Sequence, residues 1–515
     1  MNLKMINITE QNIAIMLEMC LLLLVIVLVL HITLPYRWMP AEFYKHLHKI
    51  PGPKGYPIIG NTLIALAMRA DDVYNLMKSY TEKYGPILRI YGFGLAHVMI
   101  SDHEIIEAIL TGTQNISKAS DYRLLSCWLR DGLLLSTGEK WHTRRKMLTP
   151  AFHFKILEDY IPVFSRNSKI LVNKLWEYID EPFVRVNKLI TLCTLDIICE
   201  TAMGTSIHAQ DGQEVEYVKA VHRISELFQK RQLNPFLYKN IIFNLTGIGR
   251  EQARVVKILH AFTRKVLEQR RQEYISNRET TDNNLQRKKR ILSFLDLLIE
   301  ISETKQVLSD EDIQEEVDTF MFEGHDTTSS ALSWAMYLLG SHPDIQEKVM
   351  HELDSIFGNS DRDPTYEDLS HMKYLEQVIK ETLRLYPSVP VMSRMVEKDI
   401  HIKGYTIPVG AHATMLTFML HRNPELYPEP EKFDPARFSP ESCQKRHPFA
   451  YVPFSAGPRS CIGQKFALME AKVVLSTVLR NFKLETLDRP EDVKVLMEIV
   501  IKPKEPFCIR FTPRR

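Results

Sequence analysis

The chain has 515 residues, 45% hydrophobic and 25% charged, with a formal net charge of +2. That length allows two to four average domains or one large one, and the near-neutral balance gives no electrostatic footprint for nucleic acid. The seven cysteines (Cys20, Cys127, Cys193, Cys199, Cys443, Cys461, Cys508) are scattered without a CxxC pair, which argues against a disulfide framework and for a reducing compartment.

Residues 12–34 are largely apolar, long enough for one bilayer span, with Glu18 near an interface. The stretch is longer than the apolar part of a cleaved signal peptide, and no A-x-A-like site follows. Arg37, Lys45, Lys49 and Lys54 gather downstream, against Lys4 and Glu10 upstream, so the positive-inside rule puts the body of the chain in the cytosol. The sequon Asn7-Ile8-Thr9 would then be lumenal. A basic, proline-rich linker over 35–60, centred on Pro51-Gly52-Pro53-Lys54-Gly55-Tyr56-Pro57, joins this anchor (1–34) to a body spanning 61–515. Residues 87–91 and 97–100 read as a hairpin around Gly92 and Gly94. Gly92-x-Gly94-x-x-His97 lacks the third glycine and the strand–helix setting of a dinucleotide fingerprint, and no Walker A or flavin motif is evident. Electrons for a redox reaction must therefore come from outside the chain.

Trp141 and Arg145 are four apart and share one helix face. Lys140, Arg144 and Lys146, with Lys465, read either as a basic docking face or as ordinary solvated charge. Residues 160–305 predict long helices with charged loops. The part from 205 to 250 is apolar but irregular, and Arg270 to Arg290 is polar enough for an exposed, mobile connection, its basic run Arg287-Lys288-Lys289-Arg290 included. Ser309-Asp310-Glu311-Asp312 is an N-cap cluster for a helix running to about Leu339. Inside it lies Phe322-Glu323-Gly324-His325-Asp326-Thr327-Thr328, where a glycine beside two threonines weakens the helix locally. Glu323 and Thr327 share a face, with Phe320 about one turn earlier. Glu381 and Arg384 form an i, i+3 pair, and Pro435-Ala436-Arg437-Phe438 follows downstream; His351-Glu352 lacks the second histidine of a zinc protease helix.

The most specific signal is Phe454-Ser455-Ala456-Gly457-Pro458-Arg459-Ser460-Cys461-Ile462-Gly463. An amphipathic run opens behind it, predicting a helix from about Ile462. That puts Cys461 at a helix N-terminus, where the macrodipole favours a thiolate. Gly457 and Gly463 allow a tight turn and close approach to a flat ligand, and Arg459 is placed to meet an anion. With no second Cys or His nearby, one axial ligand fits better than a zinc cage. The pattern F-x-x-G-x-R-x-C-x-G fixes five residues, so a chain of this length expects on the order of 10⁻⁴ chance matches.

These motifs, in this order, resemble those of the cytochrome P-450 monooxygenases, and the resemblance covers nearly the whole chain. It implies a mainly α fold with small β-sheets, the cytochrome P-450 fold, behind a single N-terminal transmembrane helix. By the same resemblance haem b is the cofactor and Cys461 its axial iron ligand, with Phe454 and Gly463 against it. Trp141, Arg145, Arg394 and Arg459 would bind the propionates, and Glu381, Arg384 and Arg437 would lock the cysteine loop. Thr327 would hydrogen-bond bound dioxygen, Asp326 would help deliver protons, and Phe320 would wall the pocket. The Phe-Glu-Gly-His-Asp-Thr-Thr wording, with Glu323 where most members carry Ala or Gly, is similar to family-4 members and most like insect ones. Their equivalent glutamate can form a haem ester; a protonated, hydrogen-bonded glutamate is the alternative. The implied partners are NADPH-cytochrome P-450 reductase, cytochrome b5, O2, a lipophilic substrate (fatty acid, hydrocarbon, hormone or xenobiotic) and the endoplasmic reticulum membrane. A haem-thiolate isomerase or peroxide-driven enzyme would share Cys461 without needing Asp326 and Thr327, and a non-catalytic haem or lipid binder is the remaining alternative.

Overall fold

The computed structural model describes residues 17–22, 25, 39–56, 59–92, 95–212, 215–281 and 293–514. The sequon at Asn7, most of the apolar stretch 12–34, Pro57, Gly94 and the basic run 287–290 lie outside them. Among the described residues no helix is long and apolar enough to cross a membrane.

The body is mostly helical. Its centre is α6 (Asp310–Ser341), begun by a capping box in which Ser309 and Asp312 satisfy each other's backbone N–H groups. It is buried along most of its length, as expected of a helix surrounded by other helices rather than lying on a surface. It packs against α3 (Asn187–Thr201), α7 (Lys373–Leu385) and α8 (Gln464–Asn481), and α8 in turn packs on α2 (Ile161–Trp176). Gly324 allows the contact with α3, because a Cβ there would sit 2.4 Å from the Ile198 side chain.

A four-stranded sheet flanks this bundle. The hairpin of β1 (Ile87–Gly92) and β2 (Leu95–Ile100) forms as the sequence predicts, with Ile87 opposite Ile100. Strand β2 runs parallel to β4 (His412–Leu416), which pairs antiparallel with β3 (Val391–Met395). Strand β4 is buried throughout, covered on both faces.

Two sequence expectations are corrected here. The region 205–250 is less irregular than it reads, since α4 (Val215–Gln232) occupies much of it. The stretch from Arg270 is not a mobile connection as far as Thr281: it completes α5 (Gly247–Thr281), and Arg270 is held 2.7 Å from the buried Asp296. A charge-rich helix end reads as a loop when its partner lies in another element.

Candidate haem site

One cavity of about 510 Å³ runs through the centre of the body. Its wall includes Cys461, Phe454, Gly463 and Arg459 from the cysteine loop, Trp141 and Arg145, and Phe320, Glu323 and Thr327 from α6. Trp141 and Arg145 share one face of α1 (Gly138–Leu148), as their spacing predicts. Phe320 stacks on Phe152 at 5.6 Å between ring centroids, inside the apolar part of the wall.

The cysteine loop is held by its own backbone. Cys461 donates its N–H to the Phe454 carbonyl at 2.9 Å. Gly457 has φ +67°, and a Cβ there would lie 1.9 Å from the Leu110 carbonyl oxygen, so the turn requires glycine. A Cβ on Gly463 would meet only Cys461 Sγ, at 3.9 Å. Beyond that sulfur its surroundings are open, which is a cradle for a flat ligand.

The helix behind the cysteine starts slightly later than the sequence predicts. Helix α8 starts at Gln464, three residues beyond the sulfur. Burial, with the facing Glu323, pushes the Cys461 thiol up to about 11, against a hydrogen bond from Gly463 and the charge of Arg145. The sulfur is nonetheless exposed to the cavity, where coordination to a metal would favour its thiolate.

On the opposite wall, Thr327 Oγ1 donates to the Glu323 carbonyl at 2.6 Å, and Thr328 Oγ1 to that of Gly324 at 3.1 Å. The next three carbonyls take hydroxyls from Thr194 (3.1 Å), Ser329 (3.0 Å) and Ser388 (2.8 Å). The helix stays continuous, with side-chain donors on five consecutive carbonyls, from Glu323 to Thr327. Burial raises the Glu323 carboxyl to about 7, partly offset by Lys118 and Arg145.

Four cations gather at one side of the cavity without an ion-pair partner among the described residues: Lys118, Arg145, Arg394 and Arg459. Arg459 donates to the carbonyls of Leu133 and Ser136 and lies 4.3 Å over the Trp141 ring, yet its Nε has no partner. Burial, then Arg394 and Arg145, lower its pKa to about 9. Arg394 is 2% exposed with Nη1 unpartnered. Burial, then Arg394 and Arg459, hold Lys118 well below its ordinary value. Buried like charges are costly unless an anion joins them. The arrangement suits a ligand with one flat apolar body and two carboxylates.

The family model for cytochrome P450 matches residues 50–510. The chain belongs to the cytochrome P450 family. It is 46% identical to cytochrome P450 4c3 of Drosophila melanogaster over 493 residues, covering 93% of this chain and 92% of that one. Cytochrome P450 4V2 of Homo sapiens is 44% identical over 483 residues (92% and 91%), and cytochrome P450 4c21 of Blattella germanica 45% over 469 (90% and 93%). This P450 is accordingly a haem-thiolate monooxygenase with an iron porphyrin cofactor, working with O2, a redox partner and a lipophilic substrate. The cavity fits that cofactor: a sulfur on one wall, a glycine cradle beside it and unpaired cations at the edge.

Two of the P450's expected site residues do not line the cavity. Arg394 lies behind Lys118, with which it forms an isolated backbone bridge. Asp326 turns away from the wall: its Oδ1 lies 3.0 Å from Lys502 Nζ, which is 3.1 Å from His222 Nδ1. Asp326 Oδ2 is buried without a partner, and the cations around it hold the carboxyl below its usual range despite burial.

The expected triad behind the loop does assemble. Glu381 and Arg384 are fully buried on α7 and joined by two hydrogen bonds of 2.7 and 2.8 Å. Arg437 Nε lies 3.5 Å from Glu381. Arg384 also donates to the carbonyls of His421, Pro430 and Lys432 at 2.9, 2.7 and 3.0 Å. His421 passes the connection on, its Nε2 accepting the Val452 N–H at 2.9 Å just before the cysteine loop.

Two of the four expected basic-face residues are tied up within the fold, while Lys146 and Lys465 stay exposed. Arg144 is buried against Asp312 and Glu315, and Lys140 is 2.6 Å from Glu315 and 3.1 Å from Asp131. Both charges are neutralised within the fold. Sequence reasoning missed Lys118, Lys502 and His421, whose partners lie far along the chain and leave no spacing to recognise.

Proposed function

We propose that this P450 inserts one O2 atom into a C–H bond of a fatty acid, hydrocarbon, hormone or foreign compound, with hydroxylation at a chain end. NADPH-cytochrome P-450 reductase supplies two electrons, with cytochrome b5 as a second donor. The observation that carries the reading is that Cys461 faces Glu323 and Thr327 across a single, mostly apolar cavity. The bound haem supplies O2 binding and activation, which an axial thiolate favours by donating electron density.

The chain's own residues do the rest. Cys461 would hold the iron, with Phe454 and Gly463 beside the sulfur. Trp141, Arg145 and Arg459, with Lys118, would bind the carboxylates of the group, and Arg394 would add its charge from behind Lys118. Thr327 holds a hydroxyl at the cavity wall, free to exchange the Glu323 carbonyl for bound dioxygen. Asp326, one residue earlier, relays protons received through Lys502 and His222. Two electrons and two protons enter with O2 and substrate; hydroxylated product and water leave. Phe320 and its stacked neighbours exclude water from the apolar end. Glu381, Arg384 and Arg437 fix the loop that carries the sulfur.

Glu323, which lines the cavity wall, would be placed to form an ester with the porphyrin edge; its carboxyl, raised to about 7, fits the protonated alternative. Residues 1–34 anchor the protein in the endoplasmic reticulum membrane in a single pass, 35–60 link, and 61–515 form a catalytic domain facing the cytosol. The exposed Ile241 and Leu245 suit membrane contact.

The test is turnover of fatty acids and terpenoid esters by microsomes carrying the protein and its reductase, with product positions assigned. Terminally oxidised, NADPH-dependent products support the reading; loss of no activity in Cys461→Ser overturns it. Acid-solvent extraction after turnover decides the ester, since haem that all comes away free rules it out.

A further inference from the structure

Beside Lys118 and Arg394, two histidines and an aspartate meet where β2, β4 and the turn Ser120–Leu125 come together. One nitrogen each of His97 and His412 and one oxygen of Asp121 lie within 4.8 Å of one another. His97 and His412 sit opposite each other in the parallel pair of β2 and β4, their ring centroids 4.6 Å apart. His412 is 2% exposed and Asp121 5%.

Each side chain has one polar atom held from outside the cluster. His97 Nδ1 is 3.2 Å from Thr414 Oγ1, which is itself 2.9 Å from Ser393 Oγ. His412 Nε2 is 3.0 Å from Ser120 Oγ. Asp121 Oδ2 accepts from Gln232 Nε2 at 3.2 Å. These partners orient the three groups and leave His412 Nδ1 and Asp121 Oδ1 buried, 3.9 Å apart and without a hydrogen bond. Buried polar atoms are rarely left so. Two imidazoles and a carboxylate, each fixed by a hydrogen bond at its far side, are the donor set and the outer shell of an open zinc site.

We propose that His97, His412 and Asp121 bind a divalent transition-metal ion of zinc type, tying the turn at Ser120–Leu125 to the sheet beneath it. The nitrogen–oxygen donor set suits zinc over calcium or magnesium, which prefer all-oxygen shells. Ligation by His412 uses Nδ1, with the proton on Nε2 directed to Ser120 Oγ at 3.0 Å in place of the Ser120 N–H contact at 3.4 Å. Zinc at about 2.0–2.1 Å from each donor sets donors roughly 3.3 Å apart, so the three close inward by about 1 Å. His97 and Asp121 line the haem cavity, which gives the ion its way in and leaves the fourth position open to water or a substrate oxygen. The nearby Lys118 and Arg394 oppose a dication, and the carboxylates of bound haem offset them. The site uses none of the residues assigned to holding the haem, and draws on the haem only for charge balance.

The experiment uses the full-length, haem-loaded protein in detergent and without a histidine tag. It is equilibrated with one equivalent of zinc chloride over a weak chelator, and the zinc-to-iron ratio is measured by mass spectrometry. About one zinc per iron is expected, falling about tenfold or more in His412→Phe and in Asp121→Asn. A wild-type ratio near zero, or one unchanged in both folded variants, overturns the proposal. X-ray absorption at the zinc edge of the wild-type protein covers the case in which the variants misfold. Two imidazole nitrogens and an oxygen near 2.0–2.1 Å support the site; sulfur ligation, or oxygen ligands alone, overturns it.

Discussion

Two groups of buried arginines sit on either side of the haem loop and have opposite electrostatics. Behind the loop, Arg384 spends its donors on Glu381 and on three carbonyls, leaving no charge uncompensated. At the cavity edge, the buried Arg394 and the half-buried Arg459 keep unpartnered nitrogens, and Arg394 helps to lower Arg459. The first group is complete as a piece of protein; the second is complete only with an anionic ligand. The same residue type is scaffold in one place and receptor in the other, and the partners, not the residue, decide which.

That contrast predicts opposite responses to mutation. Arg384→Ala strands the Glu381 carboxylate, costing about 3–5 kcal/mol, and both stability and haem content fall, read by thermal unfolding and the Soret band. Asp326→Asn removes the half-partnered acid and slows product formation about 100-fold while haem content holds, which NADPH consumption against product yield measures. Arg394→Met weakens haem retention by about 2 kcal/mol yet raises the stability of the apoprotein by about 1 kcal/mol. Transfer of haem to apomyoglobin and chemical unfolding of the haem-free protein test both halves. A drop in apoprotein stability would collapse the distinction.

The smallest effect comes from a carboxyl between the two extremes. Glu316 accepts the Leu133 N–H at 3.0 Å through Oε2, but its Oε1 is unpartnered, and burial raises it to about 7. The folded protein therefore binds a proton more readily than the unfolded chain between roughly pH 4.5 and 7. Its contribution to stability is present at low pH and is lost as pH rises through that window, by at most about 1.4 kcal/mol per unit. Glu316→Gln should flatten that slope in unfolding curves at pH 5.5 and 6.5.

The helix-face pairs and the cysteine loop were legible as short-range spacing, while the fold class, the haem and the place of Arg437 beside Glu381 came from the family resemblance of the motifs. Trp141 and Arg145 are four apart, Glu381 and Arg384 three, and the cysteine loop is one continuous run. What escaped depends on meetings between distant segments. Lys140 and Arg144 look like a free basic face until α6 brings Asp312 and Glu315 against them. Asp326 shares a motif with Thr327 but projects from another side of the helix, toward Lys502.

Arg384 grips three carbonyls of the segment leading to Val452, and Cys461 is already bonded to Phe454 through its backbone. The loop that carries the sulfur is thus fastened to α7 through main-chain groups, so its position should answer to a change at Arg384 far along the chain more than to most side chains of its own.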